Sequence, residues 1–258
     1  MNTLLSAAQR AFDGTEFYSG LYESRPDDIE QIPYINHADY HQASGLLDCI
    51  TDRSLVAGYL PAYHRNIRKF PFNIVESDLE QKQRHNRLMH CLGTLGIDPR
   101  QPATFLTIAD DASGPFAGEI STCLAWEHNI ASVVFHNCNL DQLLNDIKCY
   151  APDFIIKASN SSRQLDLAEY SAKTITVLHV DHPIPFSSKM TLLACDEIGV
   201  FAARKNPEDS FSYDEESLLV EVNPLTNLTA LTTINFEIAP FIRYCPSQSR
   251  IQFNQANV

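Results

Sequence analysis

Residues 1 to 12 carry the spacing of a short amphipathic helix, and the stretch ESRPDDIEQIP from Glu23 to Pro33 follows as an acidic connection punctuated by Pro26 and Pro33. A second short helix is expected over 36 to 47. The segment VESDLEQKQRHNRLMHCLGTLGI offers Ser77 and Asp78 as N-caps, Leu79, Leu88, Leu92 and Leu95 as a buried stripe, and Gly93 or Gly96 as the stop; it is the longest predicted helix. From Pro102 the texture changes to short apolar runs, TFLTIA, ASVVFH, DFIIKA and TITVLHV, separated by the helix-length segments FAGEISTCLAWEHN and LDQLLNDIKCYA. This alternation predicts β-α-β units around a mostly parallel sheet. After residue 205 the runs ESLLVEVNP, LTNLTALTTIN and PFIRYCPSQSRIQF are β-rich and broken by Asn, Pro and Ser, with KNPEDSFSYDEES as the best candidate for a boundary or mobile loop. The expectation is an α/β core over 1–205, its helical N-terminal part reaching to about 98, and a small β lobe over 206–258 packed on it.

Charge narrows the partners. With 32 acidic and 19 basic residues the net charge is -13, a field that repels nucleic acid and anionic membrane. Seven cysteines stand singly, with no CxxC pair and no zinc ligand set, which argues for a reducing compartment. No stretch approaches 18 apolar residues, and Arg10 and Asp13 precede any run long enough for a signal peptide. A soluble cytoplasmic protein is expected.

Among chemical motifs, no GxSxG elbow exists. His179, Asp181 and His182 sit just past an apolar strand, where α/β sheets present side chains to ligands; a satisfied loop is the alternative to ligand binding, and no metal is assigned. The turn DDASGPFAGE, closing on Gly118 and Glu119, comes nearest to a phosphate cradle but lacks a lysine. HRNIRK concentrates His64, Arg65, Arg68 and Lys69 in an acidic chain, either a solvated face or a local anion attractor. Asp196 and Glu197 read as a surface acidic pair, with Mg²⁺ or amine binding by Glu197 as the alternative. Arg243 lies inside an apolar run and needs a carboxylate such as Glu221 or Glu237; anion recognition is the other reading.

Taken in order, several segments resemble the phenylacetate-CoA ligase branch of the adenylate-forming enzymes. DIEQIPYINHADY is similar to the family's early "lP.ttK.DL" at Pro33 and Asp39, with His37 at the Lys position. FAGEISTCLAWEHNIASVVF matches "FtGglg..yGaE.lGa.vvp" at Phe116, Gly118 and Glu127. LLNDIKCYAPDFIIKAS shares Pro152, Asp153 and Ser159 with "rPDvi..tPS". LACDEIG falls where the family has "YGxTEiG", and LTTINFEIAPFIRY is similar to "LTTL..ea.PiiRYrtgD", the most specific match. The resemblance covers roughly 20 to 47 and 100 to 248. It implies an adenylate-forming N-terminal core of α/β lobes with a small C-terminal β lobe, without the mobile C-terminal domain and its catalytic Lys.

The departures shape the expected function. The family's Ser/Thr/Gly-rich phosphate loop belongs between Asp48 and Asn86, where this chain has VAGYLPAYHRNIRKFPF, with one glycine and no hydroxyl run. The ribose-holding Asp falls on Gln248, the aromatic and glycine of "YGxTE" on Leu193 and Ala194, and "GaEP" becomes VDHP, keeping only Pro183. Glu197, which the resemblance implies as a Mg²⁺ ligand, and Arg243 survive. Adenylation depends on phosphate positioning and charge neutralisation, so these losses together argue against ATP and Mg²⁺ as cofactors. The implied function is a non-adenylating accessory protein of small-molecule biosynthesis that binds a carboxylate or acyl ligand. One alternative is an enzyme of altered chemistry (acyl transfer, condensation or residual carboxylate activation) using Glu197, His182 and Arg243. Another is a homodimeric or docking scaffold for a ligase or carrier protein. The candidate ligand-binding set is Gly118, Glu119, His179, Asp181, His182, Glu197 and Arg243.

Overall fold

In the computed structural model the chain is described over residues 3–36, 39–40, 46–62, 72–98, 100–109, 120, 131–136, 140–158, 167–180, 189–195, 197–246, 251 and 253. Along it run α1 (Thr3–Gly14), α2 (Glu16–Leu21), β1 (Ile35–Asn36), β2 (Gly58–Ala62), β3 (Phe72–Glu76), α3 (Asp78–Thr94), β4 (Thr104–Ala109), β5 (Ala131–His136), α4 (Leu140–Tyr150), β6 (Phe154–Ala158), β7 (Thr174–His179), β8 (Met190–Cys195), β9 (Gly199–Arg204), β10 (Ser212–Tyr213), β11 (Leu218–Val222), β12 (Thr229–Thr233) and β13 (Tyr244–Cys245). Two compact units share the chain, Met1–Arg84 with Asp214–Ile251 and His85–Tyr213 with Gln252–Val258. The boundary expected near residue 205 lies inside the second unit, because β10 pairs antiparallel with β9.

In the first unit a four-stranded sheet runs β1-β13-β12-β11. The early strand β1 joins parallel to the late strand β13 through Ile35 and Tyr244, which ties the two distant chain segments into one body. β2 and β3 form a separate antiparallel hairpin. α1 buries Leu4, Ala7, Ala8 and Ala11, as its spacing predicts. Thr15 caps α2 by accepting from the Tyr18 N–H at 3.1 Å. Tyr18 is fully buried; its hydroxyl donates to Pro240 O at 3.1 Å and accepts from Ile242 N–H at 3.0 Å, so both of its polar roles are filled. The helix expected over 36 to 47 falls largely outside the described residues. Its start is visible: the Asn36 side chain accepts from Asp39 N–H at 2.9 Å while the Asp39 carboxylate accepts from Asn36 N–H at 3.0 Å, a reciprocal cap.

The second unit is built on a seven-stranded sheet of order β10-β9-β8-β7-β6-β4-β5. β5, β4, β6, β7 and β8 are parallel, as the β-α-β alternation predicts, and β9 and β10 add antiparallel strands at one edge. One face buries Phe105, Ile156, Ile175, Val177 and Leu192 against Leu88, Cys91, Leu92 and Leu95 of the α3 segment. The other packs Leu106, Ile108 and Ile155 against Leu143 and Ile147 of α4. Leu79, expected in the buried stripe of α3, instead remains 38% exposed on the first turn. Gly96 stops α3: it takes φ 81°, and Ile97 N–H reaches back to Leu92 O at 2.9 Å. The Pro152–Asp153 pair has a structural role, since Asp153 accepts from Thr104 N–H at 2.8 Å and returns its own N–H to Thr104 O at 2.9 Å, fixing β6 beside β4.

Candidate functional site

In the second unit, His179 and Glu197 sit at the ends of neighbouring strands. His179 closes β7 opposite Ala194 of β8, and Val180 N–H donates to Ala194 O at 3.0 Å. Cys195 at the end of β8 pairs with Gly199 at the start of β9, which takes φ 80°, and Glu197 and Ile198 form a turn just before it. Only glycine enters that backbone region without steric cost, so the CDEIG segment is built for a tight reversal. Glu197 is 5% exposed there, which corrects the expectation that it lies at the surface, while Asp196 lies outside the described residues. Tertiary packing, invisible to local patterning, covers the turn: Arg87 of α3, itself 4% exposed, donates from Nη2 to Ile198 O at 3.0 Å. A buried guanidinium thus holds the backbone of the turn that carries a buried carboxylate. Sequence reasoning missed Arg87, which reads as one more polar helix position.

Arg243, in the first unit, is the structural arginine its apolar surroundings called for. Nε and Nη2 form a fork on the Glu221 carboxylate at 3.2 Å each, while Nη1 donates to Ile29 O at 2.9 Å and Ile32 O at 2.7 Å. The guanidinium also lies 4.6 Å from the centre of the Tyr34 ring. Its backbone adopts φ 48°, a left-handed conformation costly for a non-glycine residue. Of the two carboxylates named as partners, Glu221 takes the role. With four bonds made, little of the fork is left for a ligand.

Glu80, not singled out by the motif reading, organises the loop before Arg243. One carboxylate oxygen accepts three consecutive N–H groups, Glu237, Ile238 and Ala239, at 2.9, 2.8 and 2.9 Å. The other accepts the N–H of Ser77 at 2.9 Å and its hydroxyl. Burial pushes this carboxyl up, but the bonds from the Ser77 hydroxyl and from the Ala239, Ser77 and Ile238 N–H groups outweigh it and hold it below its ordinary 4.5. The SDLE segment carried the signal, a capping box in which Ser77 receives the Glu80 N–H.

The first unit also has an open depression of about 460 Å³ lined by Arg10, Asp13, Gly14, Thr51, Phe236 and Glu237. Two of its charges are engaged: Asp13 pairs with Arg25 at 2.9 Å, and Arg10 donates to Phe236 O at 2.7 Å while lying 4.2 Å from the centre of that residue's ring.

The candidates Gly118, Glu119, Asp181, His182 and Gln248, and the His64, Arg65, Arg68, Lys69 patch, lie outside the described residues. Among the described residues no group of three His, Cys, Asp or Glu side chains stands ready to hold a metal, and no helix is long and apolar enough to cross a membrane.

No protein-family model and no curated protein matches the chain. Solved structures do. The chain is similar to 2-hydroxyisobutyryl-CoA ligase in the postadenylation state with 2-HIB-AMP, with TM-score 0.69 and 13% identity over 95% of this chain and 60% of that one. The open conformation of the same ligase, with 2-HIB-AMP and CoA, gives TM-score 0.66 and 14% identity over 95% and 62%. A double mutant of o-succinylbenzoate-CoA synthetase from Bacillus subtilis, bound to a product analogue, gives TM-score 0.50 and 11% identity over 94% and 55%. The chain spans about three fifths of the length of the hydroxyisobutyryl ligase structures it matches. Its fold is therefore that of adenylate-forming ligases, an α/β architecture with a mostly parallel sheet.

Proposed function

We propose that this chain is a carboxylate- or acyl-binding accessory protein of small-molecule biosynthesis, built on the adenylate-forming fold but not itself adenylating, and belonging to the phenylacetate-CoA ligase-like branch. The observation that carries the reading lies between Asp48 and Asn86. There β2 and β3 pair as an antiparallel hairpin leading directly into α3. The residues joining them, 63–71, read YHRNIRKFP, with no glycine, serine or threonine. A phosphate cradle needs consecutive backbone N–H groups that glycine frees, with hydroxyls beside them. The sequence of this connection carries neither the glycines nor the Ser/Thr hydroxyls. The structural engagement of Arg243 by Glu221 agrees with a scaffold retained after the nucleotide chemistry was lost. The single spacing of the seven cysteines along the sequence supports a reducing, cytoplasmic setting.

Titration with benzoate and with phenylacetate, in the absence of nucleotide, is the test. At least one should give saturable heat that Mg²⁺ and ATP leave unchanged; failure of both to bind would remove the reading. The burial of Glu197 beside the β7 end supports a second reading, an enzyme of altered chemistry using Glu197 with the histidines of the 179–182 loop. That reading is abandoned if alanine at both Glu197 and His182 leaves pathway output unchanged.

A further inference from the structure

Lysine is out of place in the middle of a parallel sheet. Strands buried on both faces read as unbroken apolar runs, and β6 does so at Phe154, Ile155 and Ile156 before Lys157 interrupts it. The lysine is half-buried and makes no hydrogen bond or ion pair with a described residue. A methionine or leucine there would fill space without the cost of partly desolvating an ammonium and fixing a long side chain.

Its position is also the one where open α/β sheets bind ligands. Lys157 is the penultimate residue of β6, level with Ile108, the penultimate residue of β4. The chain leaving β4 runs to β5 on one side, whereas the chain leaving β6 runs to β7 on the other. Diverging connections at the carboxyl ends of adjacent strands make the topological switch point of such a sheet.

Register gives Lys157 polar company. Pairing places Thr176 of β7 beside it, Thr191 of β8 beside Thr176, and Arg204 of β9 beside Thr191, so the four lie in one row across adjacent strands about 4.8 Å apart. All four point away from the face that holds Ile156, Ile175, Leu192 and Ala203. Arg204 is engaged, donating to Pro207 O at 3.0 Å and lying 4.9 Å from the centre of the Phe211 ring. Lys157 supplies the other cation of the row, and the flexible stem of a lysine can carry its ammonium toward the strand ends, in a chain of net charge -13.

We propose that Lys157, with the Thr176 hydroxyl beside it, is the anion-holding group of a carboxylate site at the carboxyl ends of β4 and β6. This rests on the carboxylate-binding reading above and assigns a residue to it. One ammonium and one hydroxyl match a single negative charge, a carboxylate, more closely than a phosphate, which usually gathers several donors.

The test uses the full chain, with benzoate and phenylacetate as probes and inorganic phosphate as comparison. Lys157→Met should weaken carboxylate binding about tenfold to a hundredfold, and Lys157→Arg should restore it to within about threefold. A merely structural lysine would shift melting temperature and leave affinity alone. In the wild-type protein carrying ¹³C-labelled lysine, the Lys157 Cε resonance, assigned by its loss in Lys157→Arg, should move with benzoate and saturate with the heat of binding. This second measurement stands if Lys157→Met fails to fold. Equal affinities in wild type and Lys157→Met, or an unmoved resonance while benzoate binds, would overturn the assignment and leave the carboxylate-binding reading intact. Displacement of benzoate by phosphate at equal concentration would overturn the carboxylate choice. No binding by either carboxylate would remove both.

Discussion

Replacing Glu80 with alanine is expected to lower the stability of the first unit by about 4 kcal/mol, because three consecutive buried or part-buried N–H groups lose their shared acceptor at once. Glutamine should lose less, since its carbonyl oxygen can still accept but carries no charge. The same carboxylate sets an acid limit. Its folded pKa is depressed below the ordinary 4.5, so its contribution is fully present above the unfolded value and is lost as pH falls through the folded one. Denaturant melts at pH 7 and at pH 3 should therefore show a gap between wild type and Glu80→Gln, smaller than that of the alanine variant, that narrows in acid. The 235–240 loop should also lose amide-exchange protection in the alanine variant before the second unit does. A pH-independent gap would show that Glu80 is not the anchor described here.

Arg243→Ala is expected to cost about 3 kcal/mol, since it strands the Glu221 carboxylate and frees the Ile29 and Ile32 carbonyls together. The backbone refines this prediction. At φ 48° an alanine keeps the left-handed strain that a glycine relieves, so Arg243→Gly should be more stable than Arg243→Ala by about 1 kcal/mol despite carrying less side chain. Lysine should fall between wild type and alanine, because it keeps the charge but cannot reproduce the fork that meets a carboxylate and two carbonyls. Chemical denaturation of the three variants gives the order directly. If Arg243→Ala melts like wild type, the guanidinium clasp is ornamental and Arg243 is available for a ligand.

Much of the second unit was legible because its signals are local. The apolar runs at 104–109, 131–136 and 174–180, and the helical spacing over 140–150, each became the element their period predicts. The β2–β3 hairpin was not legible: Pro61 sits within β2 and a run of cations follows, both of which argue against strand on propensity. Glu80 illustrates a half-legible site. Its capping partner Ser77 is three residues away and readable, but its three other donors lie 157 to 159 residues further on. Glu197 was misread for the same reason, since a glutamate in a turn looks solvated until a distant helix covers it. The need of Arg243 for a carboxylate partner was legible, because the cost of burying an unpaired guanidinium is high enough to demand one.

The central claim is that the fold of an adenylate-forming ligase persists here without its nucleotide chemistry. Calorimetric titration of the full chain with ATP, with and without Mg²⁺, tests it most directly. The account predicts no saturable, Mg²⁺-dependent heat at millimolar nucleotide, from a protein that still binds benzoate or phenylacetate. Tight, Mg²⁺-dependent ATP binding would contradict it.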